Sequence, residues 1–272
     1  MVEKEITKWA EFAPIISGIR DTYGKRTVGR DFVIKNKILF RGQANSNWSL
    51  RTTLERASGR RWSIDQYAKL TLLCAPHITA FTGEYRNLPS LMDAEKEIQE
   101  RFNRFSADIP QDIYNFWIYL RHHGFPSPLL DWTLSPYIAA AFCFIEKPIG
   151  EKVSVFAYIE HPLGTKGGRV GQPEIKAMNA HVTAHKRHFI QQCLYTIATK
   201  PEEGEHYFVC HEDVFSKGSD RQDVLIKITM PACERSSALE FLNDANINLF
   251  SLFQTEDALV RSLALKELEM NL

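Results

Sequence analysis

Several stretches of this 272-residue chain hold side chains able to do chemistry. The first is Phe40-Arg41-Gly42-Gln43. Arg41 follows the apolar residues Ile38, Leu39 and Phe40 of a predicted strand, so its guanidinium must leave at the sheet's end or find a partner, because an unpaired buried charge is costly. With Gly42 permitting close backbone approach, the planar fork of Arg41 is shaped for phosphate. Pairing with a carboxylate such as Asp131 is the alternative. The second stretch holds His122-His123-Gly124 and then Asp131-Trp132-Thr133-Leu134-Ser135-Pro136. Imidazoles titrate near neutrality and act as acid, base or hydrogen-bond donor, although a histidine at a helix end also serves as a cap or packing group. Ser135 suits an N-cap and Pro136 a first helical position. Asp131 and Thr133 either cap the same helix or face a site. Gln191-Gln192 stands at the mouth of a predicted strand, where buried amides need a network or a ligand. His181, His185 and His188 share one side of a helix but lack the Glu of H-E-x-x-H, and they are read without a metal. The glycines around Arg169 match neither dinucleotide nor P-loop spacing and read as a flexible loop.

These residues need a scaffold, and the hydrophobic periodicity supplies one. Residues 5–20 have apolar positions at helical spacing, 33–43 reads as a strand, and 62–105 as two helices divided near Thr82–Ser90, the second with a stripe of Ile98, Phe102 and Phe105. A helix over 112–125 stops at Gly124, a left-handed cap, and 136–145 is a helix buried on most sides. Further strands are expected at 152–160, 193–199, 206–210 and 223–230, with a loop or helix over 174–189 and two helices from Ser236 onward. Helices come first and strands later without regular alternation, so the fold class is α+β and not a doubly wound parallel sheet.

Composition bounds the function. Lys plus Arg equals Asp plus Glu at 33 each, so no global charge draws the chain to nucleic acid or an anionic membrane, and such a partner needs a local patch. Basic residues at 51, 56, 60, 61, 101, 104, 121, 186 and 187 are candidates for one. No run approaches the ~20 apolar residues that span a bilayer, and the N-terminus lacks a signal core, so a soluble cytoplasmic protein without a membrane partner is expected. The five cysteines are scattered and odd in number, against a disulfide framework or zinc ribbon, and are read as reduced and mostly buried.

Taken together, FRGQANSNWSLRTTLER, HHGFPSPLLDWTLSPYIAAAFCF, RHFIQQCLYT and NINLFSLFQTEDALVRSL resemble the successive blocks of the FRG domain family, from about residue 35 to about 262. Residues 1–34 would be an N-terminal helical extension and 35–272 the FRG-like domain. At Arg121, Pro128 and Cys193 the chain departs from the family's common Gln, basic residue and Gly. The family is similar in plan to ADP-ribosyltransferases, which implies a mixed or antiparallel central sheet and NAD as substrate. On that resemblance Arg41, with Gly42 and Gln43, would hold the NAD phosphates. Thr133 and Ser135 would stand beside the nicotinamide ribose, and Gln191 or Gln192 would replace the usual catalytic Glu. Asp131 would stabilise the cation-like transition state, and His123 would bind a ribose hydroxyl or act as base. The expectation is an NAD-consuming transferase or NAD glycohydrolase of a toxin or anti-phage system, with a protein or nucleic-acid acceptor. The other readings are a non-catalytic nucleotide- or nucleic-acid-binding module and a degenerate partner subunit.

Overall fold

A computed structural model describes residues 1–28, 32–103, 108–162, 171–178, 186–216 and 223–270. The chain opens with β1 (Val2–Glu5), a 3-10 turn at Trp9–Glu11 and α1 (Phe12–Tyr23). The helix expected from residue 5 thus starts later, since Val2–Glu5 pairs in parallel with the end of the sheet. The single strand expected over 33–43 is two. A hairpin of β2 (Lys25–Val28) and β3 (Phe32–Lys35) stands apart, and β4 (Ile38–Gln43) enters the main sheet.

Next come α2 (Thr53–Ala57), α3 (Ile64–Thr82), α4 (Leu91–Asn103) and α5 (Gln111–His122). The expected break between the two long helices is present, with Gly83 at φ +70° closing α3. Gly124, at φ +85°, takes the left-handed conformation expected after α5. Then follow β5 (Leu130–Thr133), α6 (Pro136–Phe144), β6 (Lys152–Ile159), β7 (Glu174–Ala177), α7 (Lys186–Ile190), β8 (Cys193–Glu202), β9 (Glu205–Phe208), α8 (His211–Ser216) and β10 (Val224–Pro231). Residues 174–177, expected in a loop or helix, form a strand because they pair with Thr196–Thr199. The tail is α9 (Arg235–Asp244), α10 (Leu249–Phe253) and α11 (Glu256–Leu265), followed by a π turn. Two helices were too few, because Asn248 and Thr255 each cap a fresh start and Gln254, at φ +50°, breaks the chain between them. Phe105, Arg104, Arg169, His181 and His185 lie outside the described residues.

The main sheet runs β1-β10-β6-β4-β5-β8-β7, with β9 also paired to β8. Only the β1–β10 pairing is parallel. The fold is therefore α+β with a mixed, mostly antiparallel sheet. Strand alternation sorts the core. Phe40, Val155, Ala157 and Ile228 face α1, α6 and α9, while Tyr195 and Ile197 face α3 and α5 on the same side of the sheet. Leu39, Leu130, Trp132, Phe156 and Leu194 pack on the other side beneath Leu50 and Val214. Ile6, Trp9, Phe12 and Ile16 join the first of these clusters, so the N-terminal segment shares the core of the sheet.

Gly42 fixes the closest approach. A Cβ there would sit 1.8 Å from the Ala139 carbonyl oxygen and 2.9 Å from Cys143 Sγ. Its missing side chain thus makes room for the backbone of α6, which seats the small-residue helix against β4. We predict that Gly42→Ala lowers stability by about 3 kcal/mol or more, read as a shifted denaturant midpoint; wild-type stability would contradict this packing.

Candidate functional site

The ladder between β4 and β5 is a single pair, Phe40 with Thr133. Beyond it the strands part, and a cleft of about 1000 Å³ opens at this end of the sheet. Arg41, Gly42, Gln43, Asp131, Thr133 and Gln191 line it. His123, Ser135 and Gln192 do not.

Arg41 and the Asp131 side chain project to opposite faces, since Phe40 pairs with Thr133 and side chains alternate. Arg41 therefore reaches Asp131 only at the backbone: its Nη1 donates to the carbonyl oxygen at 2.9 Å. Its Nε is buried with no partner. Burial pushes the guanidinium down to about 10, partly countered by the negative charge of Asp131 and reinforced by Arg121 and Arg56. It remains a cation at neutral pH.

The carboxylate of Asp131 belongs instead to Arg121, from the last turn of α5. Nε and Nη2 of Arg121 donate to the two carboxylate oxygens in a bidentate pair, and Nη1 donates to Thr53 Oγ1 at 3.2 Å. Burial alone would raise the Asp131 carboxyl, but Arg121 outweighs it, with Arg41 and His122 adding, and holds it below the usual carboxylate range. The Arg121 side chain is 12% exposed and that of Asp131 is 40% exposed. Asp131 is thus an anion with an open side.

The remaining predicted residues divide between cleft and scaffold. Thr133 is buried, and its Oγ1 accepts from Ser135 N–H at 3.1 Å. Ser135 caps α6 by accepting from Ile138 N–H, followed by Pro136 at the helix start, as expected. Gln43 donates from Nε2 to the Ser49 carbonyl at 3.1 Å, leaving its buried Oε1 without a partner. Gln191 is buried and donates to the Leu252 carbonyl at 3.0 Å, tying the turn before β8 to α10. Gln192 is exposed at φ +49°, and its backbone carbonyl accepts from Leu134 N–H. His123 is exposed at the end of α5, its ring 4.4 Å from that of Tyr119. The neighbouring His122 takes the cleft position, with Nε2 3.1 Å from Tyr195 Oη.

Arg51, Arg56 and Lys147 also line the cleft, with the aromatic rings of Trp48, Phe125 and Phe253. Among the described residues no carboxylate lies within ion-pair distance of Arg41, Arg51, Arg56 or Lys147, and Glu146 is taken by Arg261. The cleft is therefore electropositive and partly aromatic. Among the described residues no group of His, Cys, Asp and Glu could hold a metal. The five cysteines are unpaired, and no described helix is long and apolar enough to cross a membrane.

Residues 36–151 match the family model described as FRG domain. This segment is an FRG domain. No curated protein and no solved structure matches the chain. The FRG domain supplies Arg41, Gln43, Arg121, His122 and Asp131, whereas Gln191, Cys193, Tyr195 and Phe253 complete the cleft from beyond the matched segment.

Behind the cleft, Trp132 Nε1 donates to Thr196 Oγ1 at 2.8 Å, and Thr196 in turn meets His211 Nε2 at 2.8 Å. His211 is fully buried with Nδ1 unpartnered. Burial, helped by Arg41, drives its pKa from 6.5 to about 3.

Two predictions follow from these partners. Asp131→Ala strands the buried Arg121 charge and costs about 3 kcal/mol, Arg121→Met costs less, and the double variant is more stable than Asp131→Ala alone. Denaturant unfolding of the three variants checks this. For His211, the folded state binds the proton less readily than the unfolded chain, so stability is intact above pH 6.5 and drains as pH falls toward 3. His188 and His206, also lowered by burial, act in the same direction. His211 alone removes about 2 kcal/mol by about pH 5, and His211→Gln flattens the melting temperature's pH dependence in that window.

Proposed function

We propose that the cleft binds the pyrophosphate of NAD and that the chain consumes NAD, as an ADP-ribosyltransferase or NAD glycohydrolase. The observation that carries this reading is Arg41, a half-buried cation lining the cleft that meets a backbone carbonyl and, among the described residues, no counter-ion. Phosphate oxygens would supply the missing charge. Gln43, with a free buried Oε1, stands beside it for a ribose hydroxyl.

Cleaving the nicotinamide–ribose bond builds positive charge on the ribose, and a fixed anion must face it. Asp131 supplies that anion, ionised at neutral pH and open on one side. His122, hydrogen-bonded to Tyr195, lies in the same cleft to orient a hydroxyl or accept a proton. The ADP-ribosyltransferase-like plan enters as part of this proposal.

A second reading has its own observation. Gln191 spends its amide on Leu252, and Arg121 is clamped on Asp131, so among the described residues the cleft offers no unpaired carboxylate of the kind such catalysis employs. That favours a nucleotide-binding module that does not turn over.

Nicotinamide release from NAD, followed by chromatography, separates the two. The expected result is steady release that falls by at least ~100-fold in Asp131→Asn, with Arg41→Gln weakening NAD binding, both assayed at a temperature where circular dichroism shows them folded. Binding without release selects the second reading, and neither binding nor release rejects both.

A further inference from the structure

Two hollows flank α2. Thr53 and Arg56 face the cleft described above, while Leu54 and Ala57 face a second hollow of about 570 Å³. Phe125 lines both, so the two meet there. Around this short helix, cations are interleaved with aromatic rings. Trp48 is 46% exposed, and Arg51 and Arg56 are exposed at the rim of the cleft. On the far side the Arg60 guanidinium sits 3.5 Å from the centre of the Trp62 ring. Trp62 is held in place by donating from Nε1 to Ser58 Oγ at 2.8 Å.

Among the described residues no carboxylate pairs with Arg51, Arg56 or Arg60. The acidic residue of α2, Glu55, spends its carboxylate on the Thr52 N–H at 2.7 Å in the helix's own capping box. On a chain whose total charge cancels, this is a local positive stripe with flat rings set into it.

We propose that a single-stranded nucleic acid crosses α2, its phosphates on Arg51, Arg56 and Arg60 and its bases on Trp48, Phe125 and the Arg60–Trp62 stack, so that one end enters the Arg41 cleft. Unpaired arginines alone would suit any polyanion. The interleaved rings select one with exposed flat faces, which a single strand has and a duplex or an acidic peptide lacks. The inference rests on the NAD reading for its purpose, since it names the acceptor, but the binding it describes needs no NAD.

Fluorescence anisotropy with short labelled single strands, in the absence of NAD, tests it on the full chain. Single strands are expected to bind more tightly than the matching duplex. The plot of log affinity against log salt should slope at about −2, for three phosphates at ~0.7 each. Trp48→Ala should weaken binding about tenfold. Arg51→Ala/Arg56→Ala/Arg60→Ala, all at exposed positions, should flatten the salt slope while the melting temperature stays at the wild-type value. The proposal is overturned by absence of binding, by equal binding of the duplex or of polyglutamate, or by wild-type affinity in the triple variant. Loss of oligonucleotide binding with nicotinamide release retained rejects the acceptor alone; binding without release leaves this surface standing and rejects the NAD chemistry.

Discussion

Asp131 is held by two guanidiniums at two different atoms. Arg121 takes the carboxylate and Arg41 takes the main-chain carbonyl. The division follows from strand alternation: once Phe40 pairs with Thr133, the Arg41 side chain and the Asp131 carboxylate leave the sheet on opposite faces. Among the described residues Arg41 is left with a hydrogen bond but no counter-ion in contact. Two opposite charges ~4 Å apart at an effective dielectric of about 20 attract by roughly 4 kcal/mol, so an anion reaching Arg41 gains an interaction the fold itself withholds. Gly42, against the Ala139 carbonyl, lets β4 and α6 pack closely at this point. The cation is fixed in place before any ligand arrives.

Where local chemistry decides a position, the sequence was a sound guide. Ser135 and Pro136 start α6 because a hydroxyl acceptor and a fixed φ belong at a helix start, and Gly124 ends α5 because it alone there takes a left-handed turn cheaply. Arg41, Asp131 and Gln191 were drawn to one cleft by distant blocks of sequence. What stayed hidden depended on a single step of register or on tertiary contact. His122 and His123 are neighbours at a helix end, and one residue's rotation sends one ring into the cleft and the other to solvent. Gln191 and Gln192 part in the same way, because a positive φ at Gln192 turns the chain between them. The role of Gly42 needed α6 to be placed over it. The partnership of Arg121 with Asp131 needed the connection between α5 and β5 to bring the two residues together. Residues 2–5 form a wholly exposed edge strand and carry no burial pattern to announce it.

The Arg121–Asp131 pair is not electrically silent at the cleft, because its two ends are unequally exposed. The guanidinium is shielded, with 12% of its side chain open, while the carboxylate side chain keeps 40%. A group entering the cleft meets the anion in contact and the cation behind it, so the pair acts as an oriented dipole with its negative end outward. Arg41, on the other strand, presents the reverse sign. The cleft between β4 and β5 thus offers a positive contact from one face of the sheet and a negative contact from the other. A ligand that joins a phosphate to a centre able to become cationic matches both. Such pairing of signs is what the proposed NAD chemistry requires, and it sets the cleft apart from the unpaired arginines around α2.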